Sequence, residues 1–383
     1  MKILFVCQQY IHAARWISQL KETHHEIYVF DCLDRPIHKN LLWTNYITNW
    51  SKRKVLYLKG EHFLQKKIPK LYKKIEPFLK VTSSEKLLEF IKEIKPDLVH
   101  SLEMQSQTYH VLKAKQQFYF KWAYFSWGSD LYFYQNNITH VKKIKDILQN
   151  VDFLFTDNKR DIKIAKQLGF KRKEQPVFPG GGGYDLEKYQ QYIQPILERK
   201  LIIIKGYHHW VGRALSVLNA LELIIDKIKG YEIYVYSAHT VVVDKIKEIN
   251  KKYNTDIQYS TRNQQISHQE LLVKFGQAKI AIGNSISDGI PNSLLEAIIL
   301  GAFPIQSNPG GATEDYIING ENGFLIENPE DASEIATLIL KTLEDDKLLK
   351  KSFKINQEKA KELEYKKIQN IVIEVYKNIE MSL

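Results

Sequence analysis

The sequence predicts an α/β chain with two parallel, doubly wound sheets, and three observations carry that prediction. Short apolar runs alternate with amphipathic stretches of helical period from the first residues onward. A run with two prolines and four consecutive glycines, PVFPGGGGYDLE at 176–187, interrupts the alternation. The same alternation then restarts at Leu201. Residues 1–185 are expected to form one domain and 186–365 a second, with 366–383 a last helix packing back on the first.

The elements follow in order. Lys2–Cys7 reads as a strand, His12–Glu22 as a helix with Ala13, Trp16, Ile17 and Leu20 on one face, and Glu26–Asp31 as a second strand. Ser84–Ile94 is an amphipathic helix that Ser84 can cap, with Leu87, Leu88 and Ile91 as its buried stripe. Leu98–His100, Tyr119–Ser126 and Val151–Thr156 read as buried strands, and Asp161–Gly169 as a helix ended by glycine. In the second half the strands are Leu201–Lys205, Glu232–Tyr236, Ile257–Tyr259, Lys279–Ile282 and Phe303–Gln306; the tail from Pro329 is helical.

Composition bounds the function. Hydrophobic residues make up 44% and charged residues 26%, the balance of a chain with ordinary cores. Cys7 and Cys32 provide no disulfide framework and fit a reducing cytoplasm. The apolar run after Lys2 is too short for a secretory signal, and no run is long enough to span a bilayer. The net charge of +11 points to an anionic partner. No nucleic-acid-binding motif accompanies it, so nucleic acid is not expected as that partner.

Much of the positive charge lies between Lys52 and Lys80, with ten Lys or Arg against two acids. Leu64, Ile68, Leu71, Ile75 and Phe78 recur there at helical spacing, with Lys66, Lys67, Lys70, Lys73 and Lys74 between them. Such a helix can lie peripherally on an anionic membrane face, or simply be a solvated helix packed on its own domain; Pro69 and Pro77 shorten or kink it.

The most informative stretch is 279–314, KIAIGNSISDGIPNSLLEAIILGAFPIQSNPGGATE. A buried strand leads through a polar loop into a helix starting at Pro291 or Asn292, where proline suits a first turn and asparagine a cap. A helix start beyond the carboxyl end of a parallel strand holds phosphate, so Gly289, Ile290, Pro291, Asn292 and Ser293 are candidates for binding a nucleotide diphosphate. Glu296, one turn in, suits a ribose hydroxyl.

Asp288, seven intervening residues, Leu295-Glu296-Ala297, Gly301, Pro304-Ile305 and Gly310-Gly311 together resemble the signature of the retaining family-4 glycosyltransferases. That family usually has Glu where Asp288 stands. The resemblance implies the GT-B architecture, two Rossmann-like domains facing across a cleft, with the donor on the second and the acceptor on the first. It implies Asp288 on the donor sugar and Glu296 on the ribose. It also implies Lys205 and Arg213 as cations holding the diphosphate, although the usual spacing of that pair is not reproduced.

In Ser126-Trp127-Gly128-Ser129-Asp130 the family often has His-Gly-Ser-Asp, so Trp127 replaces a histidine and Asp130 is a candidate for its catalytic role. His12, His100, Glu103 and Trp127 are acceptor-side candidates; a buried structural role is the plain alternative for His100. Gln8 and Gln9 stand where many relatives have glycines, and glycines 180–183 read as a hinge. His208 and His209 lack further partners at ligand spacing, so no metal is expected.

The implied reaction is metal-independent hexosyl transfer, with retention, from a nucleotide-diphosphate sugar (UDP- or GDP-sugar) acting as substrate, with no cofactor. The acceptor would be a glycan or lipid-linked molecule in surface polysaccharide, lipopolysaccharide or capsule synthesis. A phosphorylase or epimerase of the same architecture, and a catalytically silent sugar-nucleotide-binding partner, are the alternatives.

Overall fold

The computed structural model describes residues 1–383 as two compact units. The first comprises Met1–Thr156, Ile162–Gly182 and Gln369–Leu383; the second comprises Asp157–Asp161 and Gly183–Ile368. Gln369–Leu383, most of the final helix, thus belongs to the first unit. Five residues from within the first alternation belong to the second.

In the first unit, strands β1 (Lys2–Val6), β2 (Glu26–Phe30), β3 (Asn45–Tyr46), β4 (Leu98–Leu102), β5 (Lys121–Ser126), β6 (Phe153–Thr156) and β7 (Lys173–Glu174) form one sheet, ordered β3-β2-β1-β4-β5-β6-β7. In the second, β8 (Leu201–Lys205), β9 (Glu232–Ala238), β10 (Gln258–Thr261), β11 (Ala278–Gly283), β12 (Phe303–Ser307) and β13 (Phe324–Ile326) are ordered β10-β9-β8-β11-β12-β13. All pairings between these strands are parallel. Helices on both faces explain why β4 and β11 are buried along their whole length and read as apolar runs without alternation. The strand order reverses between β1 and β4 and again between β8 and β11. Loops at the carboxyl ends of those strands are where such sheets bind ligands.

Local chemistry sets the helix starts. Thr82, not Ser84, caps the helix Ser83–Ile94: its side chain accepts from the Glu85 N–H, and Glu85 reaches back to the Thr82 N–H. Ser84 instead bonds His110 Nδ1 at 2.9 Å. The final helix, Tyr365–Glu380, brings Tyr376 into a buried aromatic group with Phe5, His100 and Phe155.

The basic stretch does not form one amphipathic helix. The helices Glu61–Lys67 and Pro69–Leu79 meet at Ile68, whose φ of −132° and ψ of 59° break the ladder before Pro69. Tyr72 and Leu79 are the side chains of the second helix that are buried, while Leu71 and Phe78 are exposed. The border between units falls inside the glycine run. At Gly183 a Cβ would stand 2.5 Å from the Tyr365 Cα, so the backbone passes where no side chain fits.

Candidate functional site

In the second unit the loops after β8 and β11 are tied together at the point of strand reversal. The Arg213 N–H donates to the Asn284 carbonyl at 2.9 Å, and the Ile286 N–H to the Val211 carbonyl at 2.9 Å. The β11 loop then enters the helix Asn292–Ile299. Pro291 holds the N-cap position, with φ −65° and ψ 133°, and Asn292 is the first helical residue, so the expected asparagine cap is not formed. Proline has no side-chain acceptor, and no side chain caps this helix start. Ser293, in the first turn, hydrogen-bonds the buried Tyr236 hydroxyl, whose pKa burial pushes up.

One turn further, Glu296 is 5% exposed and its carboxylate lies 2.7 Å from His268 Nε2. His268 opens the helix His268–Gln277, which Ser267 and Glu270 start with a capping box. Asp288 accepts from the Gly289 N–H at 3.0 Å, and its other oxygen is 3.6 Å from Lys205 Nζ at the end of β8. Tyr207 lies between two cations: Lys205 Nζ is 4.8 Å and Arg262 Cζ 4.7 Å from its ring centre. His209 and His239 pack beside it, 5.4 Å apart. Burial lowers the His209 pKa, and His239 and Lys205 lower it further, which favours the neutral ring.

Arg213 is placed differently from Lys205. Its guanidinium pairs with Glu330 and donates to the carbonyls of His209, at 3.1 Å, and Gly212, at 2.9 Å. The chain thus compensates its charge locally and uses it to pin the loop, whereas Arg262 makes no ion pair with an acid in this structure. Nothing in the sequence marked Arg262, which sits after β10, outside the recognisable motif.

The segment Asp157–Asp161 braces this site. Asp157 accepts from the Ile290 N–H at 3.0 Å, so that donor is already used and the Ile290 side chain is buried. A backbone phosphate contact from Ile290 is therefore not available as expected. A Cβ on Gly289 would approach Asp157 Oδ2 to 2.3 Å. Burial, reinforced by Asp161, raises the Asp157 pKa. Arg160 donates to the Asp288 carbonyl at 3.0 Å and to the Pro309 carbonyl at 2.5 Å, joining the Asp288 loop to the Gly310-Gly311 turn.

In the first unit the loops after β1 and β4 meet, with Gln8 Nε2 2.7 Å from Ser106 Oγ. Several candidates there prove structural. Asp130 is 4% exposed and accepts from the Tyr124 hydroxyl at 2.6 Å, the Ser126 hydroxyl at 3.0 Å, and the N–H groups of Trp127, at 3.0 Å, and Met104, at 3.2 Å. Its lone pairs fix the turn after β5, which corrects the catalytic expectation. His100 is fully buried, bonded through Nδ1 to the Tyr376 hydroxyl at 2.6 Å, and burial pulls its pKa down to about 3. It is a core residue and does not face an acceptor. Glu103, at φ 69°, caps the π-type turn Met104–Thr108 by accepting from the N–H groups of Gln105 and Ser106, each at 2.8 Å.

His12 and Trp127 do come together, with ring centres 6.3 Å apart, and His12 is exposed. The buried Trp127 indole N–H has no hydrogen-bond partner.

The sequence profile described as "Glycosyl transferase 4-like" matches residues 2–158, and that described as "Glycosyl transferases group 1" matches residues 243–362. No curated protein matches the chain in sequence. Among solved structures it is similar to sucrose-phosphate synthase from Thermosynechococcus elongatus, at 16% identity over 100% of both chains and a TM-score of 0.73. It is also similar to a glycosyltransferase from Rickettsia africae, at 16% identity over 99% of this chain and 98% of that one, TM-score 0.70. HepE of Anabaena, in complex with UDP, aligns over 100% of both chains at 13% identity, TM-score 0.71. At such identities the likeness is one of fold, and the fold is GT-B.

Proposed function

From the match of residues 2–158 and 243–362 to two glycosyltransferase family profiles, we propose that this chain is a family-4-like, retaining, metal-independent hexosyltransferase using a UDP- or GDP-sugar. The observation that carries the donor assignment is the buried Glu296 carboxylate, held at 2.7 Å by His268 one turn inside a helix start that no side chain caps. The helix start and the cations Lys205 and Arg262 face the diphosphate, and Glu296 takes the ribose hydroxyls. HepE has also been solved with UDP-glucose, which favours a uridine donor among the two.

Asp288 orients the hexose. The bond from the anomeric carbon to the diphosphate breaks as the acceptor oxygen bonds that carbon on the same face. The acceptor proton passes to the departing phosphate oxygen. The acceptor is a glycan or lipid-linked molecule of a surface polysaccharide, presented at an anionic membrane. Leu56, Tyr57, Phe63 and Phe78 are 90%, 81%, 61% and 75% exposed among Lys59, Lys66, Lys67, Lys70, Lys73 and Lys74, and supply the apolar and cationic parts of a peripheral docking face. No helix is long and apolar enough to cross a membrane.

The test is release of nucleoside diphosphate from a panel of UDP- and GDP-hexoses. Asp288→Asn is expected to lower kcat at least about tenfold, roughly 1.4 kcal/mol of barrier. Unchanged turnover in both Asp288→Asn and Glu296→Gln would remove this site assignment.

A further inference from the structure

At the amino ends of β1 and β2, away from the carboxyl-end loops, three side chains distant in sequence converge. His24 Nε2 lies 3.0 Å from Glu380 Oε2, and His25 Nδ1 lies 3.9 Å from Glu380 Oε1. One ligand atom from each of the three falls within 4.8 Å of the others. The Met1 nitrogen is 2.7 Å from Glu380 Oε1 and 3.5 Å from His25 Nδ1.

Tetrahedral zinc, with bonds of about 2.0–2.2 Å, sets its ligand atoms roughly 3.3–3.6 Å apart. The two separations between imidazole and carboxylate, 3.0 and 3.9 Å, straddle that range. The donor set of two imidazoles and a carboxylate is one that divalent zinc accepts.

We propose that His24, His25 and Glu380 form a binding site for a divalent transition metal, zinc by its ligand chemistry. The metal would clip the end of the helix Tyr365–Glu380 to the turn before β2. Its role is structural, because it stabilises the docked position of the final helix and lies at the end of the sheet opposite the carboxyl-end loops. His24 is the accessible ligand, with its side chain 70% exposed, and His25 and Glu380 are the more covered ones.

The experiment uses the untagged full-length chain, stripped with chelator and titrated with Co2+ as a spectroscopic probe, then with Zn2+. The expected result is one Co2+ per chain with the visible absorption of tetrahedral cobalt, displaced by one Zn2+, and a melting temperature raised by either metal. His24→Ala and Glu380→Gln should each abolish the band and the thermal shift. His24→Ala removes an exposed ring, so it leaves the fold intact and decides the matter if Glu380→Gln is unstable. Absence of bound metal at micromolar concentration, or binding undiminished in His24→Ala, overturns the proposal.

Discussion

Replacing Glu296 with glutamine changes one oxygen to an amide nitrogen and removes one charge from a residue that is 5% exposed. His268 Nε2, at 2.7 Å, keeps an acceptor in the glutamine carbonyl, so the helix and its surroundings are expected to hold. A ribose hydroxyl, in contrast, loses a charged acceptor in a nearly dry setting. Hydrogen bonds to charged groups contribute about 1.5–3 kcal/mol, which weakens nucleotide binding about 10- to 150-fold. Calorimetric titration of wild type and Glu296→Gln with UDP and GDP reads this directly, with a circular dichroism melt as the control for folding. If wild type binds one nucleotide and the variant binds it within twofold, Glu296 does not hold the ribose, and the reasoning from helix start to donor fails.

Other outcomes follow from the same geometry. Tyr376→Phe removes the hydroxyl that pairs with His100 Nδ1 at 2.6 Å and accepts from Trp16 Nε1 at 3.3 Å. It should destabilise the first unit by about 1–3 kcal/mol in a denaturant melt, because polar groups are left unpaired in the core; an unchanged midpoint would contradict the buried network. Gly289→Ala drives a methyl to 2.3 Å from Asp157 Oδ2, so donor binding should fall with little change in global melting, and wild-type affinity would show that this loop is not held as described. The protein should co-sediment with anionic vesicles at low salt. Changing Lys66, Lys67, Lys70, Lys73 and Lys74 to glutamine should release it, at about 1 kcal/mol per lysine near the surface. No sedimentation in wild type would leave the exposed lobe without its proposed partner.

The legible part of this chain was the part governed by local periodicity. The strands Leu201–Lys205 and Ala278–Gly283 announce themselves as apolar runs, and the spacing from Asp288 to Glu296 runs along one loop and one helix as read. What stayed hidden depends on residues distant in sequence. His268 reaches Glu296 only because the helix before β11 packs beside the helix after it, and Arg262 reaches Tyr207 only because β10 and β8 flank β9. Asp130 and His100 have the residue types of catalysis but lie where the fold consumes their polar atoms, one in a turn and the other against Tyr376. Burial, which the sequence does not print, separates these roles. The cap at Thr82 shows a smaller version of the same point: serine and threonine compete for a helix start, and only the backbone decides.

The short segment 157–161 carries a consequence for recombination between enzymes of this architecture. A designer exchanging halves would cut at glycines 180–183, the obvious seam, and so would transplant Asp157 and Arg160 along with the first half. Yet these residues satisfy the Ile290 N–H and the carbonyls of Asp288 and Pro309. A hybrid made at the seam would therefore inherit the loops at Asp288 and Pro309 from one parent and the fastenings of those loops from the other. Compatible parents are those that share an acid and an arginine at these two positions, and grafting residues 157–161 back from the second parent should rescue the hybrids that lack them.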